Sequence, residues 1–202
     1  MIEVLDDWLD LEFCNHLSEH ILYCMPHVYG HTSITGGSRV TDILSGAPSQ
    51  KFYTVDFGEE SFHIKYMCRK LHKEVFQYEC QFVRVYANIQ FKGMNGSFHK
   101  DKADLTVVYM VTPTLEGSGS FEYKDGTEVK KVDFVQNRLI IFEGGDVFHR
   151  GMSPDIDSPR VTVAFKVCRG QNAQQSMSYL YDIGYRIRDI ERKMSKIINS
   201  SA

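Results

Sequence analysis

The sequence predicts a mainly β fold, a sandwich or barrel with flanking helices. Between residues 81 and 168, short runs rich in β-branched and aromatic residues are separated by turn signals such as Asn95-Gly96 and Asp125-Gly126. Apolar residues at helical spacing occur before residue 80 and again after residue 176. The 202 residues, 43% of them apolar, are enough for one domain with a full core.

The first 80 residues are expected to support that core. A short strand and a turn occupy residues 1–10, and Asp10 is placed to cap a helix over residues 11–24 that Pro26 ends. A strand follows at 51–57, and Ser61 is placed to cap a second helix that extends to about residue 78. These helices are expected to brace the back of the sheet.

Residues 29–50 are rich in glycine, serine and threonine and predict a long loop. Loops of this length in compact domains are often lids or binding loops, so we expect a lid. A surface insertion without function is the alternative.

The remaining strands are predicted from runs dense in β-branched and aromatic residues with turn signals between them, and together they form the core at residues 81–168. They lie at 81–91, 105–111, 119–124, 127–135, 138–143 and 160–168. A final helix is predicted at 177–198, where isoleucines and Met194 form a narrow apolar seam. The seam is expected to pack against the sheet of the same chain, as in a monomer. The alternative is that the seam forms a contact in a homodimer.

Composition excludes several classes of protein. The five cysteines are odd in number and include no C-x-x-C pair, which favours reduced thiols and a cytoplasmic location. The N-terminus is acidic, without the apolar run of a secretory signal, and no stretch is long enough to span a membrane. The formal net charge of -3 does not favour nucleic acid as a partner.

Two histidines and one aspartate predict a metal site. In an extended chain His99 and Asp101 point the same way, and His149, after the Gly144-Gly145 loop, is the best candidate for a third ligand. Two histidines and one carboxylate on one face of a metal favour non-haem Fe(II) and oxygen chemistry. A structural zinc site would more often be closed and cysteine-rich.

Arg160 and Thr162 predict an anion site beside the metal. They begin a strand and share one of its faces by alternation. A guanidinium donates two parallel charge-assisted hydrogen bonds to a carboxylate, and the hydroxyl can add a third.

With these motifs in order, the chain resembles the Fe(II)/2-oxoglutarate-dependent dioxygenases, and within them the prolyl-4-hydroxylase-like branch that includes phage relatives. The matching stretches are residues 84–88, 93–101, 105–111, 119–123, 137–142, 149–150 and 160–166. The tryptophan-containing loop common in that branch is lacking at residues 112–116. The resemblance implies a double-stranded β-helix, or jelly roll, as the fold.

The resemblance also implies roles for these residues. His99, Asp101 and His149 would hold Fe(II), and Arg160 would bind the far carboxylate of 2-oxoglutarate with help from Thr162. Three further residues fall where the family often places co-substrate hydrogen bonds, namely Tyr86, Asn88 and Tyr109. O2 would be the second co-substrate, and ascorbate is a candidate reductant.

The implied reaction hydroxylates a C–H bond and releases succinate and CO2. A peptidyl side chain such as proline is the expected substrate. The alternatives are a free amino acid, a small metabolite, a nucleic-acid base, or a non-catalytic jelly-roll binding module.

Overall fold

The computed structural model describes residues 2–31, 51–57, 61–76 and 80–170. The predicted C-terminal helix and residues 32–50 of the predicted loop lie outside these ranges. The described elements, in chain order, are β1 (Ile2–Leu5), α1 (Leu11–Glu19), β2 (Val28–His31), β3 (Phe52–Asp56), α2 (Phe62–Glu74), β4 (Cys80–Gln90), β5 (Leu105–Met110), β6 (Ser120–Asp125), β7 (Glu128–Asp133), β8 (Leu139–Glu143), β9 (His149–Met152) and β10 (Arg160–Arg169). Across these ranges, no helix combines the length and apolar character needed to cross a membrane.

The strands form two antiparallel sheets. The larger has seven strands in the order β1-β8-β5-β10-β4-β3-β2, and the smaller has three in the order β7-β6-β9. Apolar side chains from both sheets share a small core between them, formed by Met110, Phe121, Phe134, Ile140 and Phe142. The mainly β sandwich expected from the sequence is therefore confirmed.

The helices pack on the other face of the seven-stranded sheet. Asp10 caps α1 by accepting hydrogen bonds from the backbone N–H groups of Glu12 and Phe13, whereas Ser61 precedes α2 without a side-chain capping bond. A π-helix over His20–Cys24 continues α1. The main core lies between these helices and the sheet, and its fully buried members include Leu17, Ile21, Met67, Leu71, Val107, Val163 and Phe165. Each such side chain contributes about 1.5–3 kcal/mol through burial.

Two strands were not expected from the sequence. β2 overlaps the start of the predicted loop 29–50, and β9 carries His149. Both are four residues long, contain glycine and lack apolar alternation, so no local pattern indicates them. They are strands because β3 and β6 supply hydrogen-bonding partners.

A buried asparagine joins the N-terminal segment to the sheet. Asn137 Oδ1 accepts hydrogen bonds from Leu9 N (2.9 Å) and Tyr109 Oη (2.8 Å), and Asn137 Nδ2 donates to Leu9 O (2.7 Å). The residue is 3% exposed and has a positive φ of 66°. Asparagine tolerates this left-handed conformation better than most residues.

Replacing this asparagine tests its contribution to stability. We expect Asn137→Ala to lower the free energy of unfolding by roughly 3–5 kcal/mol, because two backbone groups and one hydroxyl lose buried partners. Urea denaturation followed by fluorescence measures the change. Gln136→Ala is the matched control and should cost about 1 kcal/mol, since Gln136 Nε2 donates an exposed hydrogen bond to Asn15 and a part-buried one to Val111 O. Equal losses in both variants would contradict the assignment.

Candidate metal centre

His99, Asp101 and His149 converge at one edge of the space between the sheets. Their candidate ligand atoms all lie within 4.8 Å of one another. The two histidines are held by a reciprocal backbone pair, in which each N–H donates to the other's carbonyl at 3.0 Å. Asp101 N donates to Gly144 O at 2.9 Å. The Gly-Gly loop thus positions the carboxylate, while the paired backbones position both imidazoles.

Both imidazoles present the same nitrogen to the centre. His99 Nδ1 lies 2.9 Å from Ser97 O, and His149 Nδ1 lies 3.0 Å from Val147 O. A carbonyl can only accept, so Nδ1 carries the proton in each ring and Nε2 keeps its lone pair. The Nε2 atoms lie 3.7 and 3.4 Å from the oxygens of Asp101. Metal-binding histidines are commonly oriented in this way.

The protonation states also suit metal binding. Burial lowers the pKa of His149 to about 4 and lowers that of His99. Burial alone would raise the pKa of Asp101, but the charge of Lys166 and the hydrogen bonds from Lys166 and Thr106 outweigh it, so the pKa lies below its ordinary value. Neutral imidazoles and an ionised carboxylate are the forms that bind metals.

Neighbouring side chains hold the ligands in place. The ring of His149 stacks on Phe121 with centroids 5.5 Å apart and contacts Phe142 at 4.6 Å. Asp101 Oδ2 accepts a hydrogen bond of 2.6 Å from Thr106 Oγ1 and forms an ion pair with Lys166. The ligand set is therefore anchored without a metal.

A glycine allows the chain to approach Asp101. A Cβ atom at Gly144 would lie 2.7 Å from Ala103 O and 3.2 Å from Asp101 Cβ. Both separations are shorter than ordinary van der Waals contacts, so a larger residue would displace the loop that positions the carboxylate.

The second half of the site is built around a buried guanidinium. Arg160 is 3% exposed, and burial lowers its pKa to about 10, so it remains charged at neutral pH. Its Nη1 donates to Gln90 Oε1, and its guanidinium lies 5.2 Å from the centre of the Phe134 ring. Among residues 2–31, 51–57, 61–76 and 80–170, its Nε has no hydrogen-bond partner. No carboxylate of the described residues forms an ion pair with it. A buried charge without a counter-ion is costly, so this site favours an anion.

Another glycine makes room for this guanidinium. A Cβ atom at Gly151 would lie 2.8 Å from Arg160 Nη1 and 3.1 Å from Gln90 Oε1. Even an alanine at this position would therefore move the Arg160–Gln90 pair.

One pocket connects the guanidinium to the metal ligands. Its empty volume is about 540 Å³, counting the part open to solvent, and its lining includes His99, His149, Arg160, Thr162, Tyr86 and Asn88. Asn88 Oδ1 is buried and has no hydrogen-bond partner within the described part of the chain. The unpaired cation beside a histidine–carboxylate set fits a metal ion with an anionic ligand next to it.

Seven of the eight residues predicted from the sequence meet here, and Tyr109 does not. Tyr109 packs edge-to-face against Trp8 at 5.3 Å and donates its hydroxyl to Asn137, in the core under the helices. Strand alternation is the reason, because Val108, its neighbour on β5, lines the pocket instead. Tyr109 is therefore not a candidate for co-substrate binding.

Sequence reasoning missed Gln90, Lys166 and His31, which also line the pocket. Alternation could have indicated two of them. Lys166 is six residues after Arg160 on β10, and Gln90 is two after Asn88 on β4, so each shares a face with a predicted site residue. His31 lies on β2, which the sequence did not indicate, and burial lowers its pKa.

Comparison with solved structures shows the same fold. An oxidoreductase of the 2OG-Fe(II) oxygenase family from Burkholderia pseudomallei has a TM-score of 0.61 at 11% identity, covering 85% of this chain and 88% of that one. A prolyl hydroxylase from Trichoplax adhaerens, in complex with a hypoxia inducible factor peptide, scores 0.59 at 14% identity, covering 87% and 86%. HygX from Streptomyces hygroscopicus, with nickel and 2-oxoglutarate bound, scores 0.61 at 10% identity, covering 84% and 83%.

These comparisons confirm the jelly roll. No family model and no curated protein matches the sequence. The chain thus has the fold of 2-oxoglutarate- and Fe(II)-dependent oxygenases, and a His-Asp-His group is present in it.

Removing the cation beside Asp101 should alter metal binding. We expect Lys166→Met to lower the free energy of unfolding of the metal-free protein by roughly 3 kcal/mol, because a buried carboxylate loses its partner. The affinity for Mn²⁺ should rise by about tenfold or more, because the metal no longer competes with an ammonium group. Denaturation and Mn²⁺ electron paramagnetic resonance measure the two effects.

The matched control is Lys130→Met. This change removes an exposed ion pair between Lys130, which is on β7, and Asp125. In this control, neither the free energy of unfolding nor the affinity for Mn²⁺ should change appreciably. An unchanged Mn²⁺ affinity in Lys166→Met would mean that Lys166 does not compete for the carboxylate.

Proposed function

We propose that the protein is a non-haem Fe(II)- and 2-oxoglutarate-dependent oxygenase that hydroxylates a C–H bond. One observation carries the proposal: a preformed His99, Asp101 and His149 group shares a pocket with the buried cation Arg160, which has no carboxylate partner among the described residues. The His-Asp-His group suits Fe(II), and the buried guanidinium of Arg160 suits the far carboxylate of a dicarboxylic acid.

Each ligand has residues suited to it. His99, Asp101 and His149 would hold Fe(II), leaving positions open for small ligands. Arg160 would bind the far carboxylate of 2-oxoglutarate, with Thr162 beside it on the same face of β10. When bound, Fe(II) and 2-oxoglutarate supply the chemistry that consumes O2, releases succinate and CO2, and hydroxylates the substrate. Ascorbate would keep the metal reduced.

The chain contributes placement and exclusion of water. Tyr86 and Asn88, which face the pocket from β4, would orient the co-substrate, with the Asn88 amide donating from Nδ2 to a co-substrate oxygen and its Oδ1 accepting a hydrogen bond from substrate. Val108, Phe121 and Ala164 line the same pocket and keep part of it apolar. Apolar walls strengthen each ionic contact made inside.

We propose a peptidyl side chain such as proline as the substrate. Support comes from the prolyl hydroxylases among the solved structures of this fold, one from Pseudomonas putida and the Trichoplax adhaerens enzyme that holds a peptide. The fold also serves an epimerase of nogalamycin biosynthesis, so a small metabolite is the alternative. A nucleic-acid base is less favoured by the net charge of -3.

The proposed location is the cytoplasm. Four of the five cysteines, Cys14, Cys24, Cys68 and Cys80, are free thiols, as expected for a reducing compartment. A single domain over residues 1–202 is proposed on the grounds of length.

The first experiment is anaerobic titration of the protein with Fe(II) and 2-oxoglutarate. A weak visible charge-transfer band should appear with wild type and be absent in Asp101→Ala. Asp146→Ala, which removes an exposed acid from the adjoining loop, is the control and should keep the band. Succinate formation is then measured across peptides, free amino acids and nucleotides. A band that persists in Asp101→Ala, or no band in wild type, would contradict the proposal and favour a non-catalytic binding module.

The guanidinium is tested by Arg160→Ala. We expect the KM for 2-oxoglutarate to rise by roughly 30-fold or more, because losing one partner of a buried charge pair costs about 2–5 kcal/mol. Arg169→Ala is the control, since Arg169 ends the same strand and pairs with Glu143 at the surface. Its KM should match that of wild type. An equal KM in both variants would exclude Arg160 as the carboxylate ligand.

Two further variants separate the pocket from the core. Asn88→Ala should raise the Kd for 2-oxoglutarate by about fivefold to tenfold, the effect of one hydrogen bond, with little change in stability. Tyr109→Phe should leave that Kd unchanged and lower the free energy of unfolding by about 1 kcal/mol, because its hydroxyl binds Asn137. A raised Kd in Tyr109→Phe together with an unchanged Kd in Asn88→Ala would show that Tyr109, and not Asn88, contacts 2-oxoglutarate.

A further inference from the structure

Three histidines meet on the helical side of the protein, across the seven-stranded sheet from the metal centre. His16 lies on α1, His20 begins the π-helix that continues it, and His63 lies in the first turn of α2. His16 Nδ1 lies 3.0 Å from His63 Nε2. The ring centroids of His63 lie 5.1 Å from His16 and 4.9 Å from His20, and those of His16 and His20 are 6.5 Å apart.

The spacing along the chain places two of these rings on one helical face. His16 and His20 are four residues apart, the separation at which side chains on a helix become neighbours. The same separation brings two histidines onto one zinc ion in helical metal sites. His63 adds a third imidazole from another element, so the cluster joins α1 to α2.

The surroundings favour a neutral imidazole at His63. His63 is only 8% exposed, and burial together with the nearby His20 and His16 lowers its pKa. Phe13 closes one side of His63, with the rings 5.5 Å apart. A neutral imidazole in a partly apolar setting is a metal ligand in its binding form.

We propose that His16, His20 and His63 form a second metal site, which binds Zn²⁺. Two nitrogens bound to zinc at about 2.0–2.1 Å are separated by roughly 3.0–3.4 Å, and His16 and His63 already have this separation. His20 lies half-buried at the surface, and its ring has to turn to bring a nitrogen to the ion. Water completes a tetrahedral set.

The class of metal follows from the donors. Three imidazoles without a carboxylate suit Zn²⁺, Cu²⁺ or Ni²⁺ and disfavour Mg²⁺ and Ca²⁺, which require oxygen ligands. The bound ion would link the first helix to the second and so stabilise the layer that supports the sheet. This inference is independent of the proposed oxygenase activity.

The test removes the first site before it measures the second. In the double variant Asp101→Ala, His149→Ala, isothermal titration with Zn²⁺ should give one ion per chain, and Zn²⁺ should raise the melting temperature. Adding His20→Ala should weaken binding at least tenfold, and His16→Ala should do the same. His20→Ala affects a half-buried surface residue and tests the site without disturbing buried His63.

His27→Ala in the same background is the matched control, because His27 is an exposed histidine outside the cluster. Its Zn²⁺ affinity should equal that of the background. Two results would overturn the proposal: no Zn²⁺ binding in the double variant, or Zn²⁺ binding that survives both His16→Ala and His20→Ala. Either result would leave the cluster as histidines that only stack and share a hydrogen bond.

Discussion

The site depends on the alternation of side chains along β10, a strand buried on both faces. Val161, Val163, Phe165 and Val167 enter the core under the helices, while Arg160, Thr162, Ala164 and Lys166 face the pocket. The register with β4 and β5 is long and antiparallel, so a shift of one residue would exchange the two sets and bury charge in the core. Core packing on one face therefore fixes the position of the charged groups on the other.

The pocket is electrostatically unbalanced in a way that suits its proposed ligand. Arg160 and Lys166 bring two cations, and Asp101 is the one carboxylate in contact with Lys166 among the described residues. A divalent metal would add to this excess of positive charge. A dicarboxylate offers two negative charges that can offset it, which makes 2-oxoglutarate a better match than a neutral ligand.

Two glycines are required in this site because a side chain at either position would collide with neighbouring atoms. Gly144 lets the chain pass close to Asp101, and Gly151 leaves room for the guanidinium of Arg160. Neither position has a positive φ, so glycine is required there by packing and not by the backbone conformation. Only the tertiary structure shows why these two positions lack side chains.

The sequence by itself determined much of the fold and brought out the candidate metal ligands. The dense β-branched and aromatic run of β5 and the apolar alternation of β10 are patterns of neighbours along the chain, and so is the shared direction of His99 and Asp101. Strands β2 and β9 and the position of Tyr109 could not be predicted in this way. β2 and β9 have no apolar pattern of their own, and which face of β5 is the pocket depends on the strands beside it.

Tertiary structure alone decided the contacts between distant segments. The pairing of Lys166 with Asp101, of Arg160 with Gln90, and of His16 with His63 joins residues between 47 and 70 positions apart. No local propensity encodes such pairs, because their energy exists only after the sheets and helices have packed. The sequence thus determined which chemical groups the protein carries, and the packing of β10 between two layers determined which of them meet.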